Sequence, residues 1–191
     1  RFALYYPEKR PFFLEGMEVF RFAGNTEDAP LYAVVHTRNI ADPVYGLKLS
    51  GKLTRRDTMA AIIARDKLSP DTEGPARADF GILRYRHAFS ADAFMGGFLT
   101  SRSAGDGYNR VAGVDGRFRL SPASSTEFHF LGSFTRPEGG GEVSNGHALA
   151  VNYNYSNRKM VVIAGIQDIA RDFRIDSGFL TRDGLTRLGA F

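Results

Sequence analysis

The sequence lacks both cysteine and tryptophan over its 191 residues, and it contains no run of roughly 18 apolar residues. Without cysteine, neither a disulfide framework nor a thiolate metal site is possible. Without a long apolar run, the chain offers no candidate for a transmembrane helix. Strands of a membrane β-barrel escape this last test, because their apolar and polar side chains alternate.

Signals for chemistry are also scarce. The four histidines, His36, His87, His129 and His147, show no spacing typical of metal ligands. The glycine run at 139–141 is flanked by acidic residues, which would repel the phosphate of a nucleotide. No pair of acids has a separation fixed by the sequence, as glycoside hydrolysis would require. We therefore predict no catalytic, cofactor-binding or metal-binding residues and no cofactor.

Charge and composition point to a folded, strand-rich chain. Lys and Arg number 25 against 21 Asp and Glu, for a formal net charge of +4. The basic residues are spread along the chain rather than gathered in a patch, so we predict no nucleic-acid partner. Hydrophobic residues make up 43% and charged residues 24%, which argues against disorder. The chain is rich in Gly (21), Phe (16) and Tyr (8), as expected of many strands joined by tight turns.

The stretch from Tyr108 to Thr135 shows the pattern on which the fold prediction depends. It predicts two strands joined by a short turn at 121–124, and each strand has an apolar and a polar side because strand side chains alternate. The apolar side carries Val114, Phe118, Leu120, Phe128, Phe130 and Phe134. The polar side carries Asn109, Asp115, Arg117, Arg119, Glu127, His129 and Ser133.

Similar segments recur along the chain and predict about ten strands. They are placed at 31–38, 44–55, 58–68, 78–89, 92–102, 108–120, 124–135, 147–156, 160–169 and 184–191. Many of them match the roughly 9–11 residues of a tilted membrane strand and exceed the about 5–6 residues usual in soluble proteins. We therefore predict an all-β fold, an antiparallel up-and-down transmembrane β-barrel or the first half of a larger one.

The predicted connections alternate between short and long. The short ones are 55–57, 90–91, 121–123 and 157–159, and the long ones are 69–77, 103–107, 136–146 and 170–183. Outer-membrane barrels have short periplasmic turns and longer external loops, with apolar side chains facing lipid. This count of turns places residues 1–30 on the periplasmic side. The chain begins without Met and stops at Phe191 inside a predicted strand, so we expect a piece of a longer protein.

Residues 1–30 form a lead-in that differs from the strands at 31–191. Two prolines and dense charge make a central strand or a long helix incompatible with this stretch, although a turn of helix at 14–20 is possible. One interpretation is an irregular connector that packs Phe12 and Phe13. The other is a plug or docking surface formed by its charged residues, namely Glu8, Lys9, Arg10 and Glu15.

The polar side of the predicted strands is the candidate functional surface. We predict that it lines a lumen, with the residues Lys48, Lys52, Arg84, Arg86, Asp115, Arg117, Arg119, Glu127 and His129. If the lumen is open, such a basic ring selects anions. If these groups pair with one another, a hydrogen-bonded network closes the lumen instead.

A hydrolase is a further hypothesis for the same surface. His129 and Ser133 share the polar side of one strand and Asp115 lies on its neighbour, which are the residue types of a serine nucleophile, base and orienting acid. Residues four apart on a strand are roughly 13 Å apart, too far for a hydrogen bond. A hydrated polar network is therefore the favoured interpretation of these three residues.

Two motifs carry a resemblance to a known family. The first runs through Tyr6, Pro7, Glu8, Lys9, Arg10, Pro11, Phe12, Phe13, Leu14, Glu15 and Gly16. The second spans 172–174 and 178–183, and a weaker match covers 31–40. Together they resemble a bacterial outer-membrane β-barrel domain of unknown function that usually follows a family-9-type carbohydrate-binding module. The resemblance implies an outer-membrane barrel of which this chain is roughly the first half, and it implies no reaction.

Three functions therefore remain open. The first is an outer-membrane barrel segment with a pore, transport or surface-scaffold role, whose partners are outer-membrane lipid, further strands of the same chain and a saccharide or anionic solute. The second is a soluble β-barrel or sandwich that binds a ligand. The third is a membrane-embedded hydrolase using His129.

Overall fold

The computed structural model of the chain describes residues 5–26, 29–68 and 75–191. Within these ranges the fold is all-β, with a nine-stranded antiparallel sheet and a two-stranded sheet. The main sheet contains β2 (Pro43–Lys52), β3 (Asp57–Lys67), β4 (Arg77–Ala88), β5 (Phe94–Ala104), β6 (Gly107–Ser121), β7 (Ser124–Arg136), β8 (Ser144–Ser156), β9 (Val161–Ile169) and β11 (Leu185–Ala190). The small sheet pairs β1 (Leu31–Ala33) with β10 (Phe179–Leu180).

Each strand of the main sheet pairs with the next one along the chain, so the predicted antiparallel arrangement is confirmed. The two edge strands, β2 and β11, do not pair with each other, and the sheet is open. Closure into a barrel therefore remains a proposal. The described helices are short: α1 (Pro11–Leu14) and two 3-10 helices at Met17–Phe20 and Thr37–Asn39. None of them is long and apolar enough to cross a membrane.

The predicted strand at 31–38 is wrong in extent and in partner. Within this range only Leu31–Ala33 forms a strand, and it pairs with β10 instead of joining the main sheet. The chain then bends because the backbone N–H of His36 bonds to the Ser177 carbonyl at 2.7 Å, and a 3-10 helix follows. The strand β10 was missed, since two residues are too short to show alternation.

The lengths of the connections at the two ends of the sheet alternate less regularly than predicted. We define the distal end by the connections 68–76, 105–106, 137–143 and 170–184, and the proximal end by 53–56, 89–93, 122–123 and 157–160. The expected long loop at 103–107 is a two-residue turn, in which Gly105 adopts a left-handed φ of 57°. Most of the predicted loop 69–77 lies outside the described residues.

The lead-in lies against the sheet rather than beyond the proximal turns. Residues 12–24 cross one face of the main sheet, and the chain enters β2 at Pro43 from the distal end. The turn count that assigned residues 1–30 to one side relied on the strand at 31–38, which is not a crossing strand of the main sheet. That count therefore no longer assigns the lead-in a side.

The two faces of the main sheet have different surroundings. The inner face, which contacts the lead-in, buries Ile62, Phe80, Ile82, Phe98 and Leu131. Against them pack apolar side chains of the preceding segment: Phe13, Phe20, Leu31, Val34 and Ile40. The outer face has exposed apolar side chains along its length: Leu47, Leu49, Ile63, Leu83, Leu99, Val114, Phe130, Phe134 and Val151. Among the described residues, the hydrophobic core thus lies on the inner face of the main sheet.

Candidate functional site

The candidate site is the polar part of the inner face together with residues 5–26, which we call the docked segment. At one end of this segment, the ring of Phe12 lies against Gly46 of β2. At the other end, the Asn152 side-chain amide of β8 donates to the Gly24 carbonyl at 3.0 Å. The docked segment therefore spans the inner face from the first strand of the sheet to the seventh.

A buried ion pair between Arg84 of β4 and Asp115 of β6 lies at the centre of this surface. Both side chains are 0% exposed, and Arg84 Nη2 donates to Asp115 Oδ2 at 2.9 Å. The same carboxylate oxygen accepts the backbone N–H of Ala23 at 2.8 Å. Arg84 Nε donates to the Val19 carbonyl at 3.4 Å. The two side chains therefore satisfy hydrogen-bonding groups of the docked segment's backbone as well as each other's, as a buried ion pair requires.

Gly96 of β5 makes room for this pair. It lies directly opposite Asp115 in the ladder. A Cβ added at Gly96 would lie 2.8 Å from both Arg84 Cζ and Asp115 Oδ1. The guanidinium also lies over the Phe98 ring, with Cζ 4.0 Å from the ring centroid. Only glycine leaves space at this position for the two charged groups to meet across an intervening strand.

Two residues of β7 hold the end of the docked segment. Glu127 accepts the Gly24 backbone N–H at 3.2 Å and pairs with Arg117 Nε at 3.1 Å. His129 Nδ1 lies 3.0 Å from the Ala23 carbonyl, which assigns the ring proton to Nδ1. Its Nε2 atom is buried without a partner among the described residues.

Lys48 of β2 binds the C-terminal end of α1. Its Nζ donates to the Phe13 carbonyl at 2.8 Å, to the Phe12 carbonyl at 3.4 Å, and to the Glu15 carbonyl. The last carbonyls of a helix have no partners within the helix, and a cation there also complements the helix dipole. This lysine thus fixes the start of the docked segment.

The remaining predicted lumen residues do not reach the docked segment in the described contacts. Arg86 lies over the Phe94 ring with Cζ 4.8 Å from its centroid. Arg119 pairs with Asp92 at 2.6 Å, and both side chains are about half exposed. Lys52 is exposed at the proximal end of β2. All nine predicted residues lie on the inner face by their register, and their role as a lumen lining stays a prediction.

The family-like motif at 6–16 forms a clamp between the docked segment and residues 37–40. Glu8 accepts hydrogen bonds from Arg10 Nε and Nη2 at 2.9 and 2.7 Å and from the Thr37 hydroxyl at 2.7 Å. Arg10 Nη1 donates to the Ile40 carbonyl at 2.7 Å. These bonds, chiefly those from Arg10, hold the pKa of Glu8 well below its usual range. The charged side chains of Glu8 and Arg10 therefore have local structural partners.

The hydrolase hypothesis finds no catalytic arrangement in the described contacts. Ser133 Oγ accepts the Arg174 backbone N–H at 3.2 Å. Asp115 is bonded to Arg84, and His129 faces the Ala23 carbonyl. No hydrogen bond joins any two of these three side chains within the described ranges. A group of metal-ligating side chains is likewise absent from the part of the chain that the structure describes.

A second set of contacts on the inner face, which holds the segment between β9 and β11, was not predicted from the sequence. Asn109 of β6 donates to the Arg174 carbonyl and accepts the Asp176 N–H, each at 2.9 Å. Gly146 of β8 lies so close to residues 172–173 that a Cβ there would overlap their backbone. Asn109 and Gly146 thus hold the loop between β9 and β11. The only sequence signal was an amide or a glycine at an inward position, which is too common to interpret alone.

Comparison with known proteins gives no relative. No protein-family model, no curated protein and no solved structure matches the chain.

Proposed function

We propose that the chain forms part of the wall of an outer-membrane β-barrel that is closed by further strands of the same protein. Its outer face contacts lipid, and its docked segment occupies the interior. The observation that carries this proposal is the apolar outer face, where Leu99 is 55%, Phe130 52% and Leu49 60% exposed. Monomeric soluble proteins rarely expose contiguous apolar patches of more than a few hundred Å².

The extent of this apolar surface fits a bilayer. On β6 the outer positions from Ala112 to Leu120 are uncharged, and the length of this stretch matches the roughly 9–11 residues with which a tilted strand crosses a bilayer. A barrel in the outer membrane presents an apolar band about 25 Å tall. Charged outer-face side chains on β3 and β4 lie near the ends of those strands, such as the Arg65–Asp79 pair towards the distal end and Asp57 at the proximal end.

The β2 edge of the sheet supports closure by additional strands. Nearly all residues of β2 are exposed, and no proline interrupts the edge between Val44 and Lys52. Soluble proteins protect such edges with prolines, bulges or short strands. In a bilayer an unpaired edge is excluded, since every backbone group must be satisfied within the protein.

The docked segment makes a plugged scaffold the favoured role over a permanently open pore. Lys48, Arg84 and Asp115 form hydrogen bonds with the backbone of this segment instead of lining a water-filled path. Passage of an anionic solute or a saccharide, which the basic inner face and the family resemblance suggest, then requires the segment to move. A surface-scaffold role does not.

One observation favours the soluble alternative, a β-sandwich or barrel that binds a ligand. The inner face carries a dry apolar core, with Ile62 and Leu131 at 0% exposure, as a soluble domain would. In such a module the outer face would be buried against other protein or would contact water, and it would not contact lipid. The outer face therefore decides between the two functions.

The deciding experiment compares the full-length protein, including the proposed further strands that close the barrel, in detergent, in phosphatidylcholine vesicles and in plain buffer. We expect β-sheet circular dichroism and a monodisperse species only with detergent or vesicles, because the outer face needs an apolar solvent. A folded, monodisperse protein in detergent-free buffer would overturn the proposal and favour the soluble module.

A further inference from the structure

We infer that the distal margin of the outer face is a docking surface for phosphate-bearing lipid headgroups. This inference rests on the proposed function, because it requires the outer face to meet a bilayer. The surface, which we call the basic rim, is formed by Lys67, Arg77, Arg110 and Arg136.

Arg110 and Arg136 are the centre of the rim. In the ladder between β6 and β7, Arg110 lies opposite Phe134, and Arg136 lies opposite Tyr108. The two arginines are therefore diagonal neighbours on one face, with backbones roughly 7–8 Å apart. Both are exposed, and the Arg110 guanidinium lies 4.4 Å from the centroid of the Tyr108 ring. They sit directly beyond the apolar band that starts at Ala112 and Phe134.

The charge of these two arginines is not balanced by the described acids around them. Asp79 on the same face is taken by Arg65, with bonds of 2.6 and 2.9 Å. Glu138 in the nearby loop pairs with Arg102 at 3.5 Å. Asp106 accepts the Gly139 N–H at 2.9 Å. Among the described residues, neither Arg110 nor Arg136 forms an ion pair with a carboxylate.

Lys67 and Arg77 extend the rim to the strands β3 and β4. They lie directly opposite each other in the ladder, an arrangement of like charges that destabilises a sheet unless an anion is nearby. The loop between them contains Asp71 and Glu73, which lie outside the described residues. Arg110 and Arg136 are therefore the main cations of the basic rim, and Lys67 and Arg77 extend it.

The proximal margin of the outer face has a different chemistry. Its strand positions carry Asp57, Tyr85 and His87, which share hydrogen bonds through the Asp57 carboxylate. No Lys or Arg occupies an outer-face strand position at this margin within the described residues. Other cations at this end lie in the turns, such as Arg55 and Arg56, or on the inner face, such as Lys52. The sheet thus offers strand-borne cations to one side of a bilayer only.

Phosphate is the ligand that suits this arrangement. Guanidinium groups donate paired hydrogen bonds to phosphate oxygens in a fixed fork geometry. The neighbouring outer positions of β5 supply hydroxyl donors, Ser101 and Ser103, and Ser103 lies opposite Tyr108. Lipid phosphates lie just beyond the acyl chains, which is the level of the rim relative to the apolar band. Attraction of this kind is worth roughly fivefold in local binding for each cation.

The test uses the full-length protein, with the proposed further strands that close the barrel, in phosphatidylcholine vesicles that contain spin-labelled phosphatidic acid or spin-labelled phosphatidylcholine. Electron paramagnetic resonance gives the preference of the protein for one lipid over the other. We expect the wild type to prefer phosphatidic acid, and R110S/R136S to lose several-fold of this preference. The matched control R55S/R56S removes the same charge from the proximal turns and should keep it.

The outcomes separate this inference from the proposed function. Protein that inserts into the vesicles but shows equal preferences in the wild type and R110S/R136S would overturn the docking surface alone. Protein that fails to insert would overturn the proposed function and the inference together.

Discussion

The inner and outer faces of the main sheet are built from the same strands, yet charge is handled differently on each. On β4 the inner positions Phe80, Ile82 and Arg84 are buried, while the outer positions Leu83 and Tyr85 are exposed. Four inner-face charged residues hold the docked segment, namely Lys48, Arg84, Asp115 and Glu127. Outer-face charges on β3, β4, β6 and β7 stay at the two margins. Both faces are therefore rich in apolar side chains, but only the inner face has its core partner within the described chain.

The largest expected effect comes from breaking the inner-face ion pair. Asp115→Ala leaves the Arg84 guanidinium buried without its partner and frees the Ala23 N–H. Removing one member of a buried pair costs about 3–5 kcal/mol. We expect a loss of this size in the free energy of unfolding from urea titration, together with faster protease cleavage of the docked segment.

The matched control for this change lies on the outer face. Asp79→Ala removes the partner of Arg65, whose side chain is 37% exposed while that of Asp79 is 53% exposed. Exposed pairs contribute about 0–1 kcal/mol. Equal losses for the two variants would contradict the difference in burial between the two faces.

The next effect concerns lipid contact by the outer face. Leu99→Arg puts a charge on the apolar outer face at the centre of β5, opposite Leu83 and Ala112. A charge costs about 2–4 kcal/mol at the bilayer midplane of a membrane barrel and about 0–1 near the interfaces. Ser101→Arg changes the same strand and face two positions nearer the distal margin. We expect the first variant to weaken folding into vesicles and the second to have little effect. Equal, small effects would indicate that both sites face water.

A smaller effect tests the space between strands. Gly96→Ala places a methyl group against Arg84 and Asp115, and overpacking of this kind costs about 1–3 kcal/mol. At the neighbouring outer position, a Cβ on Gly97 would meet only the Gly113 carbonyl at 3.7 Å. We therefore expect Gly97→Ala to be neutral in the same thermal unfolding assay. A neutral Gly96→Ala would show that the ion pair is not held tightly.

The smallest predicted effect is pH-dependent and concerns the clamp. The hydrogen bonds of the clamp lower the pKa of Glu8 in the folded state. The ionised carboxylate therefore contributes fully to the free energy of unfolding above the ordinary glutamate pKa of about 4.3, and this contribution is lost as the pH falls below that value. Glu8→Gln should cost about 1 kcal/mol at neutral pH. The difference between wild type and variant should shrink below about pH 4. A difference that stays constant into acid would exclude the carboxylate as its source.

The strands of the main sheet were predictable because alternation over nine or more residues, as in β6 and β7, is a strong signal. The hairpin at 108–135 and its two faces agree with the sequence interpretation. The sequence did not show how much of the inner face is apolar and buried. Arg84 suggested a wet surface, but Phe80 and Ile82 share its face and are buried by the docked segment.

The contacts of the candidate site depended on long-range packing that alternation does not encode. Nothing local in the sequence links Arg84 to Asp115, since Gly96 on the strand between them has no side chain to show the connection. The motif at 6–16 was recognisable as a pattern. Its physical role became clear only when Glu8 and Arg10 were seen to bond to Thr37 and Ile40.

The most direct test of the account measures which face meets lipid. The chain has no native cysteine, so single cysteines can be labelled with a fluorophore at Val114, an outer position that is 40% exposed, and at Arg117, an inner position whose side chain is 51% exposed. In vesicles of brominated lipid, we predict strong quenching of the label at Val114 and little at Arg117. Equal quenching at both positions, or quenching only at Arg117, would contradict the assignment of the outer face to lipid.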